Sequence, residues 1–340
     1  MMLNVAVIGC GYWGPNLVRN FNSLSECDVT TVCDACDDRL SHMQKLYPHL
    51  KIVTNADEVF SDKTIDAVAI ATPVNFHYEL AMKSLQTGKH TFIEKPMASS
   101  VDQCRELLAL AHEQGLTLMV GHTFIYSPPV RKIKELVDSG DLGGIQYVSS
   151  RRLNLGLYQK DINVSWDLAP HDIAIILYVL NDQPVSVNCQ GKAHVSKGVE
   201  DVCNMTINFA NGGFCTIQSS WLDPNKIREM TFVGEKRMLV YNDLEPIEKI
   251  KIYDKRVEKP PHYDTFAEFH YSYHYGDMYS PYLKQFEPLK EECQHFIDCI
   301  KTKSESISGG LEGLKVVQIL SAASESLKQN GAAVSIGDLG

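Results

Sequence analysis

The sequence lacks an excess of positive charge, a long apolar segment and a regular cysteine framework. Its net charge is −10 at pH 7, and its lysines and arginines are scattered, which argues against nucleic acid or an anionic membrane surface as the main partner. No run approaches the roughly 18 apolar residues of a membrane span, and no N-terminal stretch resembles a signal peptide. The ten cysteines are spread over 340 residues, as is typical of reduced thiols. We therefore expect a cytoplasmic protein, long enough for two domains.

Metal binding has little support in the sequence. Cys33 and Cys36 form a C-x-x-C, but no second pair follows at zinc-site spacing, so no metal is predicted. The segment 262–282 contains six tyrosines and three histidines, with His270 and His274 four residues apart. Metal binding is one interpretation of this segment. We favour an aromatic loop that closes over a substrate or forms a subunit contact, because tyrosine supplies both contact area and a hydrogen bond.

The first 120 residues alternate short apolar runs with amphipathic stretches. The candidate strands are 4–8, 29–33, 67–71, 90–93 and 117–120. Helical spacing of apolar residues is clear in 78–86 and 101–113. Such alternation predicts a parallel, doubly wound sheet.

After Gly121 the pattern changes to strand-like segments separated by turn signals such as Asn211-Gly212-Gly213. A helical stretch, 130–139, comes first, and two more helical stretches, 289–301 and 311–328, come last. The candidate strands are 145–152, 185–189, 202–209, 214–220, 230–233, 238–241 and 247–253. This half is predicted to form a mostly antiparallel sheet, and the chain as a whole an α/β protein.

Residues 9–14 read G-x-G-x-x-G between the first strand and the first helix. Gly9 permits a tight turn, Gly11 lets the backbone approach a pyrophosphate, and Gly14 lets the helix pack on the sheet. Asp34 ends the second strand, about 20 residues past the motif, where a carboxylate accepts a hydrogen bond from a ribose 2′-hydroxyl and repels a 2′-phosphate. The fingerprint predicts an NAD-binding domain over 1–122.

Further motifs carry a family resemblance. Ala71-Thr72-Pro73, Glu94-Lys95-Pro96 and the D-x-x-x-H spacing of Asp167 and His171, taken with the fingerprint, resemble the glucose-fructose oxidoreductase, inositol dehydrogenase and MocA family. The resemblance implies a Rossmann domain over 1–122, followed by a substrate-binding and oligomerisation α/β domain over 123–340. The second domain is expected to have an open sheet, with one face toward the active site and the other used in oligomerisation. It also implies a cis peptide bond between Lys95 and Pro96.

Segments 121–124, 151–156 and 166–172 resemble, more narrowly, the branch of that family that oxidises UDP-linked N-acetyl sugars at C3. The resemblance implies an NAD-dependent dehydrogenase that makes a 3-keto sugar. An inositol or free-polyol dehydrogenase fits the D-x-x-x-H spacing equally well. A dinucleotide-binding regulator without turnover, which the family also includes, is disfavoured by the presence of Lys95 and His171.

The predicted catalytic residues are Lys95, His171 and Asp167. Lys95 follows a strand at the edge where doubly wound folds bind ligands, and its ammonium could donate to the reacting oxygen; the alternative is an exposed loop lysine. His171 is the predicted general base, because an unperturbed imidazole titrates at about 6.5. Asp167 shares a helix face with His171 if Pro170 lies in the first turn, but falls outside the helix if Pro170 marks its start. A helix-start histidine and a helix-capping aspartate are the structural alternatives.

Other polar residues are assigned by position. Those expected along the cofactor, besides the motif glycines, Asp34 and Lys95, are Tyr12, Trp13, Arg39, Thr72, Pro73, Asn75, His77 and Glu94. Those expected at the substrate, besides Lys95, Asp167 and His171, are His122, Arg152, Asn154 and Tyr158. Asn75 could instead cap a helix, and His122 is either a gate or a linker residue. Only one of Arg151 and Arg152 can face a diphosphate, because consecutive strand residues point to opposite sides.

Overall fold

The computed structural model describes residues 2–156, 158–159, 162–258 and 272–337. The chain divides into two compact units, one of Met1–Ser127 with Phe286–Ser321 and one of Pro128–Gln285 with Ala322–Gly340. This division differs from the expected 1–122 and 123–340, because the segment after residue 285 returns to the first unit.

The first unit is built on a sheet of six parallel strands in the order β3-β2-β1-β4-β5-β6. The elements are β1 Leu3–Ile8, α1 Gly14–Asn22, β2 Cys27–Cys33, α2 Asp37–Leu46, β3 Lys51–Val53, α3 Asp57–Ser61, β4 Ala67–Ile70, α4 His77–Gln86, β5 His90–Glu94, α5 Val101–Gln114 and β6 Leu118–Gly121. The doubly wound sheet predicted from the sequence is confirmed, with β3 as an additional short strand.

A later helix completes the core of the first unit. The helix that follows residue 287 brings Phe296 against Phe21 of α1 and Phe92 of β5, with ring centroids 6.2 and 5.8 Å away. All three rings are fully buried. Edge-to-face aromatic packing of this kind explains why the segment belongs with the parallel sheet.

The second unit contains a nine-stranded sheet in the order β14-β13-β12-β11-β7-β10-β9-β8-β15. The elements that follow Ser127 along the chain are α6 Pro128–Asp138, β7 Ile145–Leu155, α7 Val164–Leu180, β8 Pro184–Lys192, β9 Val202–Phe209, β10 Phe214–Ser220, β11 Leu222–Gly234, β12 Met238–Asn242, β13 Ile250–Glu258, β14 Ser272–Tyr279, α8 Pro288–Thr302, α9 Gly310–Lys328 and β15 Val334–Ser335. Of these, α8 and the first part of α9 belong to the first unit. Only β7 and β10 pair in parallel, which confirms the mostly antiparallel sheet. Within the described residues, no helix is long and apolar enough to cross a membrane.

The aromatic segment 262–282 is in part a strand and not the expected loop. β14 pairs with β13 in antiparallel register, and His274 lies opposite Arg256. The imidazole Nε2 of His274 is 2.9 Å from Asp254 Oδ2, so this side chain is hydrogen-bonded to a carboxylate on the next strand. The rest of the prediction for this segment, including His262 and His270, falls outside the described residues.

A buried ion pair joins α7 to the middle strand of the nine-stranded sheet. Arg152 on β7 donates from Nε and Nη2 to the two carboxylate oxygens of Asp172 on α7, at 2.9 and 2.7 Å. Both side chains are almost fully buried. Burial lowers the pKa of Arg152 and the adjacent Asp172 raises it, with a net increase. A two-pronged, charge-assisted contact of this kind fixes both the position and the rotation of the helix.

This ion pair predicts a large loss of stability when one partner is removed. Asp172→Ala leaves a buried guanidinium without its counter-ion and should lower the free energy of unfolding by about 3–5 kcal/mol. The control is Glu229→Ala, which breaks the more exposed pair with the adjacent Arg151 and should cost about 0–1 kcal/mol. Urea denaturation followed by circular dichroism measures both. Equal losses in the two variants would show that Asp172 does not hold the helix.

Candidate active site

The turn after β1 is shaped by two close backbone approaches. Gly9 has φ +96°, and a Cβ there would lie 2.6 Å from the carbonyl oxygen of Ala71. A Cβ on Gly14 would lie 1.9 Å from the carbonyl oxygen of Gly9. Side chains are therefore excluded at both positions, as a turn that brings a strand directly into a helix requires.

Asp34 is locked beside this turn. Its Oδ2 accepts a hydrogen bond of 2.7 Å from the backbone N–H of Cys10, and its Oδ1 accepts one of 2.9 Å from that of Cys36. The guanidinium of Arg39 on α2 lies 3.4 Å from Oδ2. The residue is buried, with 6% exposure, so the carboxylate keeps a fixed orientation at the carboxyl end of β2.

These residues fit a dinucleotide. A Cβ on Gly11 would make only an ordinary van der Waals contact, 3.8 Å from Arg39 Nη1, so the backbone does not crowd the middle of the turn. Trp13 occupies the cap position of α1 and Pro15 the first turn, and no side chain among the described residues caps this helix. The first-turn amides can therefore face a phosphate group, as helix N-termini do in dinucleotide-binding folds. Tyr12, beside the turn, is 91% exposed.

The loops after β4 and β5 are tied together by His77. Its two ring nitrogens lie 2.8 Å from the carbonyl oxygens of Pro96 and Thr72. Burial lowers the pKa of His77, although both carbonyl contacts raise it. The peptide bond between Lys95 and Pro96 is cis, as the family resemblance implied. The imidazole of His77 thus joins two loops that both carry expected cofactor residues.

The loop after β4 carries three further residues that were expected at the cofactor. Thr72 has a buried hydroxyl without a hydrogen-bond partner among the described residues, whereas Pro73 is exposed. Asn75 is exposed in the short 3-10 turn Val74–Phe76, and the cap positions of this turn and of α4 are taken by Pro73 and Phe76. A buried hydroxyl of this kind is a natural contact for a bound ligand.

Glu94 ends β5 as a buried carboxyl group. It pairs with Gly121 across β5 and β6, and a Cβ on Gly121 would lie 3.1 Å from the Glu94 carboxylate. Burial raises the pKa of Glu94 to about 8, although the neighbouring Lys95 lowers it. Burial thus favours the protonated, neutral form of this carboxyl group. Lys95 itself is half-buried in the turn that follows the strand.

His122 lies directly after β6 with 2% exposure, and its two ring nitrogens have no hydrogen-bond partner among the described residues. Burial, reinforced by the charge of Lys95, lowers the pKa of His122 to about 4. The imidazole is therefore neutral at physiological pH. A gating or substrate-binding role for His122 stays a prediction.

Sequence reasoning missed a second buried carboxyl group near Glu94. Glu292 on α8 is fully buried and accepts a hydrogen bond of 2.6 Å from the hydroxyl of Thr123. Burial and the neighbouring Glu94 raise the pKa of Glu292 well above its usual range, and Thr123 lowers it. Glu292 lies three residues after Leu289 and four before Phe296, on the apolar face of α8, so helical spacing is the signal that could have indicated its burial.

In the second unit, Asp167 and His171 lie one turn apart on α7. Asn163 caps the helix by accepting a hydrogen bond from the N–H of Trp166 at 3.2 Å. The helix therefore starts at Val164, and Pro170 lies in its second turn, inside the helix rather than at either predicted position. Asp167 and His171 accordingly share a helix face, and the cap role that was the alternative for Asp167 belongs to Asn163.

The Asp167 carboxylate is held by a tryptophan that the sequence analysis did not single out. The indole Nε1 of Trp221 donates to Asp167 Oδ2 at 3.1 Å. The ring of Tyr158 packs on the same indole at 5.3 Å between centroids. The Tyr158 hydroxyl is buried and has no hydrogen-bond partner among the described residues, which suits a residue that contacts a ligand.

Arg152 and Asn154 are the two residues of β7 that were expected at the substrate, and their surroundings differ. Arg152 is engaged by Asp172, so its guanidinium has an internal partner, and its expected role at the substrate stays a prediction. Arg151 points to the other side of the sheet and pairs with Glu229 at 2.7 Å. Asn154, two residues after Arg152, is half-buried on the side of the strand that faces α7.

Comparisons with known proteins agree with this architecture. YrbE of Bacillus subtilis (strain 168), an uncharacterized oxidoreductase, is 25% identical over 94% of this chain and 93% of its own. The UDP-N-acetylglucosamine 3-dehydrogenase of Acidithiobacillus ferrooxidans is 24% identical over 69% of this chain and 72% of its own. Its solved structure, GnnA, has a TM-score of 0.79 at 22% identity, with 97% of this chain and 99% of that chain covered.

A further relative acts on a cyclic polyol. Myo-inositol 2-dehydrogenase of Thermotoga maritima is 22% identical over 96% of this chain and 97% of its own. Residues 3–122 match an oxidoreductase family with an NAD-binding Rossmann fold, and residues 130–240 match the GFO/IDH/MocA C-terminal domain. The chain therefore belongs to the GFO/IDH/MocA family of NAD-binding oxidoreductases.

Proposed function

We propose that this protein oxidises a ring hydroxyl of a sugar nucleotide, at C3 of a UDP-N-acetylhexosamine, and releases a 3-keto sugar. The observation that carries the proposal is the face of α7 on which Asp167, held by Trp221, lies one turn before His171. A histidine next to a fixed carboxylate is suited to proton transfer from an alcohol. The relation to UDP-N-acetylglucosamine 3-dehydrogenase supports the substrate class.

The reaction requires removal of a hydroxyl proton and stabilisation of the oxyanion that forms. NAD, when bound, supplies the hydride acceptor. We assign proton removal to His171 and donation to the reacting oxygen to Lys95, whose ammonium is a donor only. Asp167 contacts the substrate or orients the imidazole of His171. Asp34 and the glycine turn hold the adenosine half of the dinucleotide.

A second candidate function is oxidation of inositol or another free polyol. The observation in its favour is the Arg152–Asp172 ion pair, because an arginine committed to a buried carboxylate is not displayed to a nucleotide diphosphate. The match to myo-inositol 2-dehydrogenase covers nearly the whole chain and favours the same alternative. Both candidates use Lys95, Asp167 and His171 in the same roles.

We also propose that the protein is cytoplasmic and forms a homo-oligomer through the open face of the nine-stranded sheet. Tyr147 and Phe214 lie opposite each other on β7 and β10, and their rings stack at 5.7 Å between centroids. They are 38% and 41% exposed, whereas their neighbours Val148 and Cys215 are fully buried. An exposed aromatic pair on a sheet face is typical of a subunit contact.

The cofactor preference is the first test. Asp34 should make NAD bind at least tenfold more tightly than NADP, which is about 1.4 kcal/mol or more. Asp34→Ala should narrow the gap, because the repulsion of a 2′-phosphate is lost. Arg39→Ala should widen the difference between the NAD and NADP affinities, because the positive charge nearest to Asp34 is lost. Isothermal titration calorimetry measures all three proteins. Equal affinities for NAD and NADP in the unmutated protein would remove the basis for the role of Asp34.

The substrate class is the second test. UDP-N-acetylglucosamine or its uronate should reduce NAD, whereas free N-acetylglucosamine and myo-inositol should be poor substrates. The nucleotide supplies remote binding energy that holds the ring in reacting geometry. Absorbance at the NADH band gives kcat/KM for each compound. Turnover of inositol at a comparable rate would instead support the polyol function.

The catalytic pair is the third test. Lys95→Ala and His171→Ala should each slow single-turnover hydride transfer by about 10²- to 10⁴-fold and leave NAD affinity nearly unchanged. His171→Ala should recover in part at high pH, where hydroxide can take the alcohol proton. His112→Ala, at an exposed position on α5, is the control and should react at the unmutated rate. An unchanged rate in His171→Ala would exclude His171 as the base.

A further inference from the structure

Trp221 occupies the junction between β10 and β11 and is almost fully buried, with 1% exposure. An indole N–H can only donate a hydrogen bond. Its acceptor here is Asp167 Oδ2, at 3.1 Å. A donor that is excluded from water and bonded to a carboxylate forms a stronger contact than an exposed one. This bond fixes Oδ2 of Asp167, a side chain that the proposed reaction uses.

Contacts with Gly156, Asp201 and Tyr158 hold Trp221 in place. A Cβ on Gly156 would lie 2.6 Å from the indole Cδ1, so the ring fills the space that this glycine leaves open. The backbone of Trp221 donates to the carbonyl of Asp201 at 2.9 Å and accepts from the N–H of Gly156 at 3.1 Å. The tilted ring of Tyr158 covers the indole. These contacts fix the direction in which the indole N–H donates to Asp167.

We propose that Trp221 is a positioning residue, which aims the Asp167 carboxylate along the face of α7 that carries His171. This inference rests on the proposed function, because it assigns Asp167 to the reaction. Trp221 acts through Asp167 and touches neither reacting atom. Gly156 contributes to this positioning, because a larger residue there displaces the indole.

Trp221→Phe removes the donor and keeps an aromatic ring. Misplacement of a catalytic group by about 1 Å can cost 10²-fold, so we expect kcat to fall by about 10- to 100-fold with a smaller change in KM and no change in NAD affinity. Trp166→Phe is the matched control, because this indole lies on α7 but donates to Ser324 Oγ at 2.8 Å. Its kcat should stay within about twofold of the unmutated value. An unchanged kcat in Trp221→Phe would overturn the proposal.

A double-mutant cycle separates positioning from loss of structure. In an Asp167→Ala background, Trp221→Phe should lower kcat by less than about twofold, because the group it positions is already absent. In a Lys95→Ala background, the full loss should remain. Equal losses in both backgrounds would show that Trp221 acts on the fold in general. Gly156→Ala, which keeps the indole N–H but displaces the ring, should reproduce the kcat defect of Trp221→Phe.

The hydrogen bond itself has a readout that needs no substrate. The chain has three tryptophans, so an NMR spectrum of protein labelled with ¹⁵N at the indole nitrogen shows three indole signals. Asp167→Asn should shift the Trp221 signal and leave that of Trp166 in place. A Trp221 signal that does not move would overturn the contact. If no sugar nucleotide reduces NAD, the proposed function fails, and the kinetic comparison is made with the alcohol that is oxidised.

Discussion

The buried contact between Arg152 and Asp172 is the constraint on which the second unit depends. Two charges leave water here, and their paired hydrogen bonds offset part of the cost of desolvation. Because the contact is bidentate, α7 can neither slide nor rotate on β7. His171 precedes Asp172 by one residue and is therefore turned by about 100° from the sheet. The position of the proposed base thus follows from an ion pair that takes no part in the reaction.

The first unit uses backbone geometry for the same purpose. At Gly9 and Gly14 the chain approaches itself too closely for a side chain, and Asp34 is then fastened to this turn by the N–H of Cys10. Beyond the turn, Glu94 and Glu292 are buried carboxyl groups whose pKa values are raised by loss of hydration. Burial thus favours the neutral form of both groups, and Glu94 ends β5 directly before Lys95.

The sequence predicts those features of the fold and the site that depend on residues close together in the chain. The glycine motif, the strand β2 that ends before Asp34 and the sheet class follow from spacing and periodicity, whereas β3, with three residues, is too short to show a period. The predicted position of Pro170 was wrong, because the cap at Asn163 starts the helix one turn earlier. The partners of Arg152 and of Asp167 are set by packing between distant segments, and no local pattern encodes Asp172 or Trp221 as those partners. The edge strand β14 was missed because its tyrosines were interpreted as contacts made by a loop, although tyrosine is also enriched in strands.

The central claim is that NAD receives a hydride from C3 of a UDP-N-acetylhexosamine. The most direct measurement uses UDP-N-acetylglucosamine with deuterium at C3 and mass spectrometry of the reduced cofactor. The account predicts that the deuterium is found in the NADH and that the sugar product, a 3-keto compound, has lost it. NADH without deuterium, formed while the label stays at C3 of the sugar, would contradict the account.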